Sequence, residues 1–152
     1  MYFSTAHNQG MNKNDIWSRT LSDTYFSLSA QCADPNRFNG SLQSWTLGNL
    51  GLSEMQCDGV KYTRTNSHFA NESESNLLIT IPHNATISFQ QAKRDTNCPP
   101  GSFLVERGDL PYEFAHAQSN KLWVLKVPTA SVRSRLGATD RLGALTFDAT
   151  TG

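Results

Sequence analysis

The stretch CPPGSFLVERGDLPYEF, residues 98–114, decides the fold together with LWVLKVP, residues 122–128. The apolar run FLV at 103–105 is typical of a strand that is buried on both faces of a sheet. The second stretch contains another apolar run, and Pro128 ends it because proline cannot donate a hydrogen bond to a strand ladder. The two stretches therefore predict two strands joined by a link rich in turns.

Helices are expected on either side of the strand-forming region. Thr129 is expected to cap a short helix over 130–136. Near the start of the chain, Asn14 or Asp15 is expected to cap a helix that runs to about Leu28, with apolar residues spaced to bury one face. The N-terminal helix would pack against a sheet, and Gly137 would end the C-terminal helix.

The middle of the chain predicts further strands. Residues 42–62 alternate polar and apolar side chains and contain several glycines, which favours two or three strands with tight bends. Residues 77–81 and 86–89 predict two more strands, whereas the polar segments 67–76 and 90–97 are expected to be loops. Strands that recur about every ten residues are typical of an all-β sandwich or barrel.

These motifs resemble those of a known family. The matching positions are Pro100, Gly101, Phe103, Leu104, Val105, Pro111, Tyr112, Glu113, Phe114, Leu125, Val127 and Pro128. The pattern is similar to the N-terminal, effector-sensing domain of AraC/XylS-type transcription regulators, with Ser102 where that family usually has aspartate. The resemblance implies a mainly β fold, namely a cupin-like antiparallel β-barrel or jelly roll with an N-terminal helix and a short C-terminal helix.

The resemblance also implies a division of the chain. Residues 1–12 are expected to form a flexible arm, with a lid over the ligand as the alternative. Residues 13–137 would be the effector-sensing β-barrel domain. Residues 138–152 would begin a linker to dimerisation and DNA-binding segments that lie outside this chain.

The composition excludes several classes of function. Thirteen basic and thirteen acidic residues leave the 152-residue chain with no net charge, so this segment is not expected to bind nucleic acid by itself. The sequence contains no run of about 18 apolar residues, so it predicts no transmembrane helix. The N-terminus lacks the pattern of a secretory signal. A cytoplasmic location without membrane contact is expected.

The cysteines and histidines indicate no metal centre or catalytic constellation. Cys32, Cys57 and Cys98 are odd in number and far apart, which favours free thiols, with a redox-sensing cysteine as the alternative. The four histidines include no H-x-H pair of the kind a metal-binding cupin needs, and no nucleophile, zinc or phosphate-loop motif occurs. We therefore expect neither a cofactor nor a metal, and no enzymatic activity.

A binding pocket lined with aromatic side chains remains as the expected site. The candidate ligand-binding residues are Trp45, Tyr62, Arg64, His83, Phe89, Tyr112, Phe114 and Trp123. Trp123 is expected to face inward, and each aromatic residue has ordinary core packing as its alternative. Arg64 would pair with an anionic ligand or lie on a solvated strand face, and a solvated face is also expected for Glu106 and Glu113.

Three functions stay open at this point. The first is a sensor domain that binds a small organic effector, with an aromatic or amphipathic molecule slightly favoured, and that reaches DNA only through the missing C-terminal half. The second is a metal-dependent cupin-like enzyme. The third is an oligomerisation module without a ligand, and a homodimer is compatible with the first reading as well.

Overall fold

The protein is described by a computed structural model over residues 1–7, 12–69, 75–137 and 145–148. These residues form two α-helices, α1 (Lys13–Thr24) and α2 (Thr129–Leu136), and two short 3-10 turns, Thr5–His7 and Asn66–Phe69. The strands over the same residues are β1 (Tyr2–Ser4), β2 (Ser29–Cys32), β3 (Gly40–Leu47), β4 (Leu50–Cys57), β5 (Val60–Arg64), β6 (Asn76–Pro82), β7 (Ile87–Gln91), β8 (Arg94–Cys98), β9 (Ser102–Arg107), β10 (Tyr112–His116), β11 (Asn120–Pro128) and β12 (Leu145–Asp148).

The strands pair into two antiparallel sheets. One has seven strands in the order β1-β3-β4-β11-β6-β9-β12, and the other has five in the order β2-β5-β10-β7-β8. One hydrophobic core between them contains side chains from both sheets and from α1. At one edge the hydroxyls of Thr96 on β8 and Thr146 on β12 lie 2.9 Å apart and link the sheets. The expected mainly β, cupin-like jelly roll is confirmed, as an open sandwich rather than a closed barrel.

The two strands predicted from the deciding stretch are present. The FLV run lies in β9, and the second run lies in β11, which ends at Pro128 as predicted. The C-terminal helix is also present, but Thr129 is its first residue and Pro128 occupies the N-cap without a side-chain bond. Thr129 instead shares a hydrogen bond with the hydroxyl of Ser75, 2.7 Å away.

The N-terminal helix begins and ends earlier than the sequence predicts. Asn12, rather than Asn14 or Asp15, caps α1, and its Oδ1 accepts hydrogen bonds from the backbone N–H groups of Asn14 and Asp15, at 2.9 and 3.4 Å. The helix ends at Thr24, not near Leu28. The buried indole Nε1–H of Trp17 donates to the hydroxyl of Tyr62, 2.9 Å away, and so ties α1 to the five-stranded sheet.

Two strands lie in segments that were expected to be loops or linker. The polar segment 90–97 was expected to be a loop, but it contains most of β8, which pairs with β7 through a two-residue turn at Ala92 and Lys93. Both turn residues have positive φ, 54° and 62°, as a tight hairpin requires. In the predicted linker 138–152, residues 145–148 form β12 on β9, and the rest of that segment lies outside the described residues.

The predicted arm differs from the structure where the structure describes it. Tyr2–Ser4 pairs with β3, and the backbone N–H of Ser44 donates to the carbonyl of Met1 over 2.8 Å. These ladder bonds hold the start of the chain on the edge of the seven-stranded sheet. Residues 8–11 of the predicted arm lie outside the described residues. Within the described ranges, no helix has the length and apolar character needed to cross a membrane.

Candidate functional site

A small cavity lies between the two sheets, close to where α1 ends. Its volume is about 20 Å³, which is room for about one water molecule. The residues that line it come from both sheets, from α1 and from the segment that follows α1: Leu21, Tyr25, Leu28, Met55, Tyr62, Leu78, Thr80, Glu106, Tyr112, Phe114, Leu122 and Val124. The interior is therefore almost filled by its own side chains.

Glu106 is the polar centre of this cavity. Its side chain is 3% exposed, and its Oε1 accepts a hydrogen bond from the hydroxyl of Thr80 over 3.0 Å. Oε2 has no hydrogen-bond partner in the described parts of the chain. Burial raises the pKa of this carboxyl to about 8, against a smaller lowering by the Thr80 bond, so the group is mostly protonated at neutral pH.

Tyr25 closes the cavity on the side where α1 ends. It is the C-cap residue of α1, and its backbone N–H donates to the carbonyl of Leu21 over 2.8 Å. Its buried hydroxyl shares a hydrogen bond with the hydroxyl of Ser53 on β4. Burial raises the pKa of Tyr25 far above its ordinary value, so the phenol stays neutral.

An open cleft lies on the other side of Tyr25. It has a volume of about 360 Å³, which is within the range of small-molecule sites. The residues that line it are Met1, Asp23, Thr24, Tyr25, Ser44, Trp45, Thr46, Gly48, Asn49, Leu50, Gly51, Leu52, Ser53 and Lys126. Tyr25 lines both spaces, and its hydrogen-bond partner Ser53 lines the cleft, so the Tyr25 side chain stands between the cleft and the cavity.

Four of the sequence-predicted residues meet in the aromatic part of the core. Tyr62, Tyr112 and Phe114 line the cavity itself. Phe89 lies behind them, with its ring centroid 5.4 Å from that of Tyr112 and 6.2 Å from that of Phe114. These residues form an aromatic wall on the five-stranded sheet.

Arg64 is buried but lies away from the cavity, so the expectation of a solvated strand face is wrong. Its Nε and Nη2 donate to the carbonyl of Gly108 over 3.0 and 2.6 Å, and its Nη1 donates to the carbonyl of Ser27. The guanidinium also lies over the rings of Phe26 and Phe69, 4.2 and 4.4 Å from their centroids. The backbone carbonyls and the two rings give this side chain a structural role.

The other three predicted residues lie outside the core between the two sheets. The rings of Trp45 and Trp123 stack with centroids 6.1 Å apart on the outer face of the seven-stranded sheet. The inward orientation expected for Trp123 is wrong, because the register of β11 turns Leu122 and Val124 into the core. His83 lies in the exposed turn that follows β6.

The sequence-based prediction missed the polar residues of the cavity. Tyr25 was expected only on the buried face of the N-terminal helix, Thr80 and the neighbouring Ser53 were not among the candidate residues, and Glu106 was expected to be solvated. A signal for Glu106 was present in the sequence, because strand alternation places it on the same face as Leu104, which belongs to an obvious buried run. Both residues are buried in the structure, and Glu106 lines the cavity between the sheets.

Thiol chemistry is not favoured at this site. All three cysteines are free and buried. Cys57 lies near the aromatic wall, 3.7 Å from the hydroxyl of Tyr62 and 3.7 Å from Nε2 of His116, and burial raises the pKa of its thiol to about 12. A thiol of that pKa is a poor nucleophile. Over the ranges that the structure describes, no three His, Cys, Asp or Glu side chains are grouped to hold a metal ion.

Comparisons with known proteins point to one family. A sequence model described as AraC-binding-like domain matches residues 17–152. A curated relative, an uncharacterized protein in the nit 5' region of Bacillus sp. (strain OxB-1), is 21% identical over 129 residues, which are 85% of this chain and 50% of the relative.

The same comparison extends to solved structures. The AraC-like transcriptional activator CuxR is similar in fold, with a TM-score of 0.71 and 15% identity over 90% of this chain and 51% of that one. The cupin domain of Schizosaccharomyces pombe Cnp3 gives a TM-score of 0.47 and 11% identity over 67% of this chain and 74% of that one. The chain spans about half the length of the curated relative and of the activator.

Proposed function

The chain belongs to the family of AraC-binding-like domains, which makes it a regulatory ligand-binding domain, and we propose that it senses a small organic effector for an AraC/XylS-type transcription regulator. The effector binds between the two sheets, at the cavity that Tyr25 separates from the open cleft. DNA contact belongs to a helix-turn-helix half outside this chain. The regulator works in the cytoplasm, and the domain has no catalytic role.

The observation that carries this proposal is the buried carboxyl of Glu106, which is bonded to Thr80 between the two sheets. A carboxyl that is 3% exposed and bonded to one hydroxyl is expensive to bury, and a purely structural core would contain an apolar side chain there. Such a group is retained where a ligand supplies its missing partner. The aromatic wall opposite Glu106 offers apolar contact for the rest of the effector.

Binding requires the sandwich to open, because the cavity of about 20 Å³ is too small for an organic molecule. Movement of Tyr25 away from Ser53 would join the cavity to the cleft of about 360 Å³. An effector that binds only the opened form shifts the population toward it. Tyr25 terminates α1, so this shift would also move the end of the helix and reach the surface of the domain.

A thermal-shift screen against sugars, aromatic acids, amines and fatty acids tests the proposal. A ligand that binds only the folded state stabilises it by about 2.7 kcal/mol at one hundred times its Kd, which is a rise of several degrees in Tm. We expect one organic class to raise Tm in the parent and in His83→Gln, whose change lies in the exposed turn after β6. A shift that needs a divalent metal and is reversed by EDTA would contradict the proposal.

We also propose a homodimer that forms through the outer face of the seven-stranded sheet. Trp45 and Ile81 on this face are 41% and 42% exposed, and Trp123 lies between them. An exposed apolar patch of this kind is typical of an interface. Light scattering after gel filtration should show a dimer for the parent and a monomer for the Trp45→Ser, Trp123→Ser variant. A parent that stays monomeric at high concentration would contradict this part.

A further inference from the structure

We infer that the effector is a small primary amine with an apolar alkyl or aryl body, and that its ammonium group binds Glu106 between the two sheets. This inference rests on the proposed function and names the chemical class of its ligand. Glu106 lines the cavity and has one carboxyl oxygen unpaired in the described parts of the chain. A primary ammonium group supplies three N–H donors, which is the complement that this oxygen lacks.

The rest of the cavity favours an amine over other ligands. Among the described residues that line the cavity, Glu106 is the only carboxyl, and none is a lysine, arginine or histidine. A carboxylate ligand would meet a buried acid and no cation, so binding it would leave a charge without a partner. A sugar would require many hydrogen-bond partners, whereas most of the lining is aliphatic or aromatic.

The aromatic wall adds a second attraction for a cation. The rings of Tyr62 and Phe114 stack with centroids 5.4 Å apart, and both residues line the same cavity as Glu106. The faces of such rings attract an ammonium group, most strongly where water is excluded. The thioether of Met55 and the aliphatic side chains nearby would then surround the apolar body of the ligand.

The site also predicts a proton change on binding. Burial raises the pKa of Glu106 to about 8, so the free protein at pH 7 holds a proton on this carboxyl. A ligand that enters as an ammonium ion favours the carboxylate, and the displaced proton leaves to solvent, so charge and protons balance.

The groups that face Glu106 are not expected to contribute to this release. The charge of Glu106 acts on two other titratable groups, Tyr25 and Cys98, and burial holds the pKa of each well above 8. Tyr62 also lines the cavity with a pKa raised by burial, and Tyr112 lines it as a third phenol. Release of close to one proton is therefore expected.

Titration calorimetry on this chain with 2-phenylethylamine and butylamine, and with 2-phenylethanol and 3-phenylpropanoate as uncharged and anionic counterparts, tests the inference. We expect an amine to bind at least 30-fold more tightly than the matched alcohol or acid. Repeating the titration in buffers of different ionisation enthalpy should show release of close to one proton per amine at pH 7. This readout needs no variant.

Glu106→Gln gives the matched test in the protein. It keeps the size of the side chain and a partner for Thr80 but removes the acid, and we expect it to weaken amine binding about 10- to 100-fold and to abolish proton release. Glu113→Gln is the control, because Glu113 lies on the surface of β10 in an ion pair with Lys61 and its loss should change neither quantity.

The outcomes separate the inference from the function on which it rests. Tight binding of an alcohol, acid, sugar or fatty acid that Glu106→Gln leaves unchanged would overturn the amine and keep the sensor. Amine binding without proton release, or with equal strength in Glu106→Gln, would also overturn it. If no organic class binds the parent at all, the proposed function falls and the inference falls with it.

Discussion

Arg64 and Glu106 are both ionisable side chains inside the same sandwich, but their surroundings differ. The guanidinium of Arg64 has several partners: three of its N–H groups donate to two backbone carbonyls, and its carbon lies over the rings of Phe26 and Phe69. The carboxyl of Glu106 has fewer partners: Oε1 accepts from the hydroxyl of Thr80, Oε2 has no partner among the described residues, and the side chain lines a small cavity. A buried cation with several partners holds the fold, whereas a buried acid with an unpaired oxygen is the kind of group expected where a ligand binds.

The two regions should therefore respond differently to substitution. Removing Arg64 leaves backbone acceptors without donors, and the protein loses stability at every pH. Removing the acid at Glu106 relieves a burial penalty, and the protein gains stability where that acid would be ionised. The folded domain tolerates the second change and is weakened by the first.

The largest expected effect is that of Arg64→Met. The change takes these donors away from the buried carbonyl of Gly108 and the half-buried carbonyl of Ser27, and it removes the cation from the faces of Phe26 and Phe69. We therefore expect the free energy of unfolding to fall by about 4–6 kcal/mol. Urea unfolding followed by circular dichroism measures this difference. Arg64→Lys should recover only part of it, because an ammonium cannot donate in the planar pattern of a guanidinium.

If Arg64→Met lowers the free energy of unfolding by less than about 1 kcal/mol, the contrast between Arg64 and Glu106 is contradicted, since Arg64 would then contribute no more than an exposed residue. The surface variant Lys61→Met provides that reference value. Lys61 lies on the same strand and forms an exposed ion pair with Glu113 at 3.4 Å, for which a contribution within about 0.5 kcal/mol is expected.

The second expected effect is a pH dependence that belongs to Glu106. Its folded-state pKa of about 8 lies above the ordinary 4.5, so the folded state keeps a proton that the unfolded chain releases, and stability is lost as the pH rises between these values. Relative to the parent, Glu106→Gln should become more stable by roughly 3 kcal/mol between pH 5 and pH 8. Urea unfolding at a series of pH values measures this gain.

The difference between variant and parent also removes the contribution of other groups. Burial lowers the pKa of His116, so that residue destabilises the protein on acidification, in the opposite direction to Glu106. This effect is common to both proteins and cancels in the difference. Equal pH profiles for Glu106→Gln and the parent would show that the acid is not held protonated in the core.

The fold was predictable where side chains carry a periodic pattern. The strands β9 and β11 follow from apolar runs, and the register of β5 as VKYTR places Val60, Tyr62 and Arg64 on one face. The same parity that predicts a buried Tyr62 also predicts a buried Arg64, although charge alone favours solvent. By contrast, β8 is polar along most of its length and exists because β7 supplies a partner through a tight turn, which periodicity cannot reveal.

The site was predictable only in its aromatic half. Tyr112 and Phe114 alternate with polar residues, so their inward face is determined. Trp123 lies in LWVLKV, where both faces are largely apolar, and the inner face is fixed only by pairing with the strands on either side. Tyr25 reaches the cavity because α1 ends at Thr24, a boundary that the sequence placed too late.

A third, smaller effect is expected at Gly108, which accepts both hydrogen bonds from Nε and Nη2 of Arg64. A Cβ at this position would lie 2.6 Å from the carbonyl oxygen of Asn76 and 2.8 Å from the ring of Phe26. Gly108→Ala should therefore lower the free energy of unfolding by about 1–3 kcal/mol, as in other overpacked sites. Thermal unfolding measures the change, and Gly51→Ala is the matched control, because its nearest contact would be at 3.4 Å.

The smallest expected effect sharpens the account of Glu106 through its one hydrogen bond. Thr80→Val keeps the shape of the side chain but removes the hydroxyl that donates to Oε1, and we expect a loss of about 1 kcal/mol at pH 5, where the carboxyl is neutral. The loss should grow to about 2 kcal/mol near pH 9, because a hydrogen bond to an ionised carboxylate is stronger than one to a neutral acid. Unfolding in urea at both pH values measures the two losses.

The same substitution in the Glu106→Gln background is the decisive control. There the partner of Thr80 carries no titrating proton, so the loss caused by Thr80→Val should be the same at both pH values. A loss in the parent that does not grow with pH, or an equal growth in both backgrounds, would separate Thr80 from the ionisation of Glu106. The pH-dependent coupling in this double-mutant cycle thus measures how strongly the protein stabilises the charged form that an amine would require.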